Sequence, residues 1–159
     1  MTPQVLIIPG RLPALNEMLA GARKSRGRYS AFAKVKKDTD ATIVAWIRAQ
    51  GITPLTVLPI DIDYLWVEHN RQRDKSNVAG GGRKFIEDSL QKAGIIPNDG
   101  WKEIGDWNDR WLVDKVEPRI EVTLGADLQD IRRRIEDAVP GTYVPGYLAE
   151  TEHDGELDL

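Results

Sequence analysis

Residues 69–101 read HNRQRDKSNVAGGGRKFIEDSLQKAGIIPNDGW. Arg71 and Arg73 carry a basic run up to Asp74 and Asn77. Gly80, Gly81 and Gly82 follow as poor helix formers, which makes them a link. Beyond them Phe85, Ile86, Leu90 and Ala93 fall on one face at helical spacing, and Gly94 suits the stop. Asp88 lies near the edge of that face, and the turn PNDG then carries Asn98 and Asp99. Upstream, LTVLPIDIDYLWVEH at 55–69 is the longest strand candidate. It alternates from Ile60 through Ile62, Tyr64 and Trp66, with Pro59 marking an edge or a bulge. Strand, loop, helix and turn thus succeed one another, and the strand points at Asp74 from a rigid end.

Carboxylates and cations meet in this stretch within a short sequence distance. The mixture suits chemistry on a polyanion, because carboxylates can hold Mg²⁺ while Arg and Lys neutralise phosphates that the carboxylates would repel. The plain alternative is a solvated loop, helix and turn in which Asp74 and Asp99 only cap or turn the chain.

A length of 159 residues predicts one domain with a real core. Cysteine is absent, which excludes disulfides and thiolate metal sites and fits a reducing cytoplasm. No apolar run reaches the length of a membrane span or forms a signal-peptide core, so a cytoplasmic protein without a membrane partner is expected. The formal net charge of −3 conceals an asymmetry. Residues 149–159 hold five acidic side chains and no Lys or Arg, and without them the charge rises from −3 to +2. Residues 21–37 carry Arg23, Lys24, Arg26, Arg28, Lys34, Lys36 and Lys37 with no acid among them. That run is either a phosphate-contacting surface or a solvated loop and helix face.

The remaining elements follow from pattern. The apolar run in VLIIPG predicts a short strand over 4–9 that Pro9 and Gly10 close, and 21–31 reads as a mobile basic loop. A helix is expected over 33–50, with Val35, Ile43, Val44, Trp46 and Ile47 on its apolar side and Gly51 ending it. Lys36 and Lys37 then lie in its first turn, against the helix dipole, which hints at a compensating anion. Trp101, Ile104 and Trp107 are assigned to a short irregular packed segment, with base stacking as the alternative role for such tryptophans. Residues 111–124 read as a strand pair or one bent strand around Pro118. Asp127 caps a helix over 128–139 that Pro140 stops, and the acidic end is extended. No internal repeat is found, and Gly80–Gly82 followed by Arg83 and Lys84 lacks the spacing and hydroxyl of a nucleotide-binding loop, so no nucleotide cofactor is expected.

The series GRLPALNE, AKVKKDTD, RDKSN, KFIEDSLQKAGIIPNDGW and a closing IEVTL resembles the RusA family of Holliday-junction resolvases, in particular its phage-type members, over about residues 6–124 in the family's order. The resemblance implies a small single-domain α+β fold with a mixed sheet packed with helices, taken over 1–140; the acidic tail at 141–159 is read from composition instead. The resemblance also implies a homodimer, Mg²⁺-dependent phosphodiester cleavage and a preference for four-way DNA junctions, hence a place in DNA recombination and repair. Asp74 matches the first catalytic aspartate, Asn77 the asparagine after the second, and Asp99 the aspartate of the turn after the helix. Ser76 stands where the family has its second catalytic aspartate; a hydroxyl can ligate Mg²⁺ but brings no charge. Gly80 falls where the family has a lysine, and Arg83 or Lys84 takes that role if the glycines shift the register.

Under that resemblance, Asp74 and Asp99 hold Mg²⁺, with Ser76 and Asp88 as further candidate ligands, while Arg73, Arg83 or Lys84 stabilises developing charge. Arg71 and Arg73 join the basic run as candidate DNA contacts. Asp88 is equally well a solvated helix-face residue. Two other classes remain: a junction-binding protein without catalysis, which Ser76 favours, and a structural or interaction protein that keeps the fold.

Overall fold

The structure, a computed structural model, describes residues 1–24, 28–131 and 133, excluding the side chains of 21–30. The fold is a small α+β one, as expected, with all its strands in one mixed sheet. Two compact units are interleaved along the chain. The first comprises 1–11, 57–71 and the described residues from Gly100; the second comprises 12–56 and 72–99.

The first unit is the sheet. Strands β1 (Gln4–Pro9), β2 (Ile60–Glu68), β3 (Ile104–Val113) and β4 (Arg119–Leu124) lie in the order β1-β4-β2-β3. β4 runs antiparallel to β1 and β2, and β3 runs parallel to β2. Residues 111–124 are therefore two strands that do not pair with each other, since β2 lies between them. A parallel neighbour needs a long crossover, and α3 (Lys75–Lys92) lies in that connection.

The alternation read in β2 is not what its burial shows: every residue from Ile62 to Glu68 is buried. A central strand whose residues are buried on both sides loses the period-two signal. Tyr64 stacks on Trp66 at 5.5 Å and Trp66 on Trp111 at 5.9 Å, while Trp66 Nε1 donates to Asp109 Oδ1 at 2.8 Å. Buried Asp63 is answered by Arg110, whose Nη2 donates at 2.6 Å, and by Asn108 Nδ2 at 2.8 Å. Residues Ile104 and Trp107 belong to β3 rather than to an irregular segment. Trp101 precedes the strand and is 99% exposed, so it packs in no core.

The second unit is helical: α1 (Leu15–Lys24), α2 (Arg28–Ala49) and α3 pack on one another. Residues 21–24 and 28–31 extend α1 and α2 where a loop was expected. Arg and Lys are good helix formers, so basic composition alone does not break a helix. Lys36 and Lys37 consequently sit two turns inside α2, beyond the first turn where the helix dipole would oppose them. Both α2 and α3 end in the same way. Gly51 and Gly94 adopt positive φ, while Ile52 N donates to Ile47 O and Ile95 N to Leu90 O, the six-to-one bond of a Schellman turn.

The glycines at 80–82 lie inside α3, not before it. A Cβ on Gly81 would lie 3.3 Å from Leu15 N and 3.6 Å from Pro13 O. Absence of a side chain there lets α3 approach the start of α1, and that packing outweighs glycine's poor propensity. Val78, Ala79, Phe85, Ile86, Ser89 and Leu90 complete the buried face. Ser89 Oγ is satisfied by Phe85 O at 2.7 Å. At the far end, Asp127 Oδ1 accepts from Asp130 N at 2.8 Å, capping the helical residues 128–131. The rest of the helix expected to 139 and the tail at 141–159 lie outside the described residues.

Candidate active site

The sequence candidates gather on α3 and the turn after it. Asp74 is the N-cap of α3 in extended backbone, and its carbonyl accepts from Asn77 N and Val78 N at 3.0 Å each. Its carboxylate makes no capping hydrogen bond; instead Asn77 Nδ2 approaches Asp74 Oδ2 at 3.4 Å. The plain reading of Asp74 as a cap is thus right for its backbone and not for its side chain. Ser76 lies in the first turn of α3. The extended geometry that would set its side chain on the same side as Asp74 is absent, since residue spacing on a helix is 100° rather than 180°.

About two turns deeper, Lys84 and Asp88 stand four residues apart on one face. Lys84 Nζ lies 2.8 Å from Asp88 Oδ1 and 2.5 Å from Asp99 Oδ2. A carboxylate from the helix and one from the turn therefore converge on a single positive point. The other oxygen of Asp88, Oδ2, accepts from Lys36 on α2 at 2.8 Å. Lys36 in turn reaches Asp40 Oδ2 at 2.9 Å, and Lys92 also binds that oxygen. Asp40 is 2% exposed, and its Oδ1 has no hydrogen-bond partner among the described residues. Six side chains of alternating sign thus run from the α2–α3 contact to the turn. The anion that Lys36 compensates is supplied by the protein itself.

The electrostatics follow from these contacts. The hydrogen bond to Asp88, followed by that to Asp99, raises the Lys84 ammonium well above its usual range. Burial is the largest influence on Asp88 and pushes its carboxyl up, yet the hydrogen bonds from Lys36 and Lys84 together bring it below its ordinary value. Burial likewise lowers Lys36, and its bonds to Asp88 and Asp40 outweigh that and raise it. All three groups are charged at neutral pH.

Other candidates are placed elsewhere. Arg73 turns inward, 12% exposed, donating from Nη1 to Leu12 O at 2.7 Å with Glu17 Oε2 at 3.4 Å. It braces the segment before α1. Arg83 is half-buried on α3, Arg71 is exposed at the end of the sheet unit, and Lys37 is exposed on α2. Lys34 pairs with Asp38 at 2.7 Å on the surface of α2. Arg23 and Lys24 close α1 and Arg28 opens α2, but their side chains, and all of Arg26, lie outside the described residues. Sequence reasoning missed Asp40 and Lys92. The four-residue spacing of Lys36 and Asp40 was a visible signal; the pairing of Asp40 with Lys92, 52 residues away, was not.

Among the described residues no group of three or more acidic or histidine side chains is arranged to hold a metal. Mg²⁺ commonly takes only one or two carboxylates and completes its shell with water and substrate phosphate. Asp88 and Asp99, aimed at one cation by the Lys84 contacts, fit that requirement. No protein-family model matches the chain, and no curated protein matches it. Among the described residues no helix is long and apolar enough to cross a membrane.

Proposed function

We propose that the chain is a Mg²⁺-dependent endonuclease that cuts four-way DNA junctions by phosphodiester hydrolysis, acting as a homodimer in the cytoplasm in DNA recombination and repair. The observation that carries this reading is the convergence of Asp88 and Asp99 on one cationic point, together with the resemblance of the surrounding motif to the RusA family. Mg²⁺ bound there supplies an activated water and neutralises charge at the scissile phosphate. Asp99 and Asp88 hold the ion, and Asp74, whose carboxylate does not cap α3, is the acid that the family resemblance assigns to catalysis at the start of the same helix. Lys84 and Arg83 stabilise negative charge developing on the phosphate. The test is cleavage of a synthetic four-way junction with Mg²⁺ against a linear duplex. Asp74→Asn and Asp99→Asn should abolish cleavage while junction binding stays the same or tightens; full activity in either variant removes that residue from the set.

A second reading is a protein that binds junctions without cutting them. Two observations favour it: Ser76 stands where the family carries an acid, and Lys84 already neutralises Asp88 and Asp99. Tight junction binding with no cleavage at any Mg²⁺ concentration would select it.

A further inference from the structure

The six charges differ in exposure. Asp40 is buried between Lys36 and Lys92, whereas the side chain of Lys84, between Asp88 and Asp99, is 62% exposed. The two oxygens of Asp88 are divided between these environments. Oδ2 is held by Lys36, which Asp40 holds in turn, and Oδ1 is held by Lys84. Removal of Lys84 would therefore leave Asp88 anchored through Lys36. Removal of Lys36 would instead strip Asp88 Oδ2 of its lysine and leave Asp40 held by Lys92 alone.

We infer that Lys84 is a resident counter-cation, so that a divalent ion entering between Asp88 and Asp99 must exchange with its ammonium. The inference rests on the proposed role of those two carboxylates as metal ligands. Its physical basis is that the ammonium and the ion need the same oxygens. Nζ lies at hydrogen-bond distance from Asp88 Oδ1 and Asp99 Oδ2, and a Mg²⁺ ion demands its oxygen ligands at about 2.0–2.1 Å. Two cations so close would repel each other strongly in a partly desolvated setting. The exposed, flexible lysine stem can swing outward, whereas Lys36 is tied at both ends. Once displaced, the ammonium stays tethered one helical turn from Asp88, where it can meet a phosphate oxygen.

The test is Mn²⁺ binding to the full chain without DNA, followed by electron paramagnetic resonance. Lys84→Met should tighten Mn²⁺ binding tenfold or more, and Lys84→Arg should not. Lys37→Met removes the same charge from an exposed site on α2 and should change affinity less than twofold, which separates displacement from a general field effect. Adding Asp99→Asn to Lys84→Met should cancel the gain. Unchanged or weaker Mn²⁺ binding in Lys84→Met, with wild-type circular dichroism, would overturn the inference. So would an equal gain in Lys37→Met. Should Lys84→Met fold poorly, Mg²⁺ titration of the wild type by NMR reads the Lys84 side chain directly, and an unperturbed signal at saturation overturns the proposal. Junction cleavage by the wild type is scored separately. Cleavage with no gain in Lys84→Met rejects the exchange and leaves the nuclease; a gain without wild-type cleavage does the reverse.

Discussion

Asp88 shows how one side chain can hold opposing influences in balance. Burial raises its carboxyl and two lysines lower it, leaving it below its ordinary value of 3.8. A carboxylate with a depressed folded value contributes stability above its unfolded value and loses it as pH falls through the folded one. Lys36 and Lys84, raised above 10.5, contribute below that value and lose the contribution as pH rises through their folded ones. Stability should accordingly be level at neutral pH and fall on both sides. We predict that Asp88→Asn, in chelator, loses less stability than the wild type between about pH 5 and pH 3, as measured by urea midpoints. An equal acid loss in both proteins would mean that the Asp88 bridges contribute nothing. At this scale the places of Asp88 on the helix and of Asp99 in the turn after it were legible in the sequence, and the contact of Lys84 with both was not read from it. The sharing of Asp40 by Lys36 and Lys92 was not, because it depends on how two helices come together rather than on local spacing.

The three glycines of α3 decided where the element began. Composition made them a link, and the helix contains them because packing at Gly81 overrides propensity. Gly80 is exposed and a Cβ there meets nothing within 4 Å. Gly80→Ala should therefore stabilise the protein by about 0.5–1 kcal/mol in thermal or urea unfolding. Gly81→Ala should forfeit that gain or reverse it, since Leu15 N and Pro13 O belong to backbone that gives little. Equal stabilisation by both would show that α3 does not need the close approach. The start of α3 yields a further prediction. Its first turn holds no acid, so Ser76→Asp should add about 0.3–1 kcal/mol by complementing the helix dipole. The variant should also lower the Mg²⁺ needed for cleavage if Ser76 faces the ion. A stability gain with unchanged or reduced cleavage, paired with loss of activity in Asp88→Asn, would mean that Asp88 already fills the missing acid's place.

At the scale of the whole chain, the alternation of sheet and helix segments was legible, as was the α+β class, because strand, helix and turn signals are local. The sheet order was not. It sets β4 between β1 and β2 and joins β2 to β3 in parallel, and no residue pattern along the chain announces which strands pair. Assembly belongs to this scale too. Paired cuts across a junction require two sites related by the substrate's approximate two-fold axis. The chain should therefore sediment as a dimer, and a monomer mass unchanged by junction DNA would count against that. Charge distribution gives the final prediction. The formal total of −3 conceals seven basic residues in 21–37 with no acid among them. Of these, Lys36 is occupied by Asp40 and Asp88, and Lys34 pairs with Asp38 at an exposed site, where an ion pair exchanges readily with a phosphate. Changing Arg23, Arg26, Arg28 and Lys34 together to Ala should weaken binding to every DNA sequence alike. For every phosphate that these side chains no longer neutralise, the slope of log affinity against log salt should become shallower by roughly 0.9. The slope, rather than the affinity alone, is the informative measurement. A partly misfolded variant binds less without altering the counterions released by its folded fraction, whereas fewer neutralised phosphates release fewer counterions. An unchanged slope with intact circular dichroism would return this basic stretch to the role of a solvated surface.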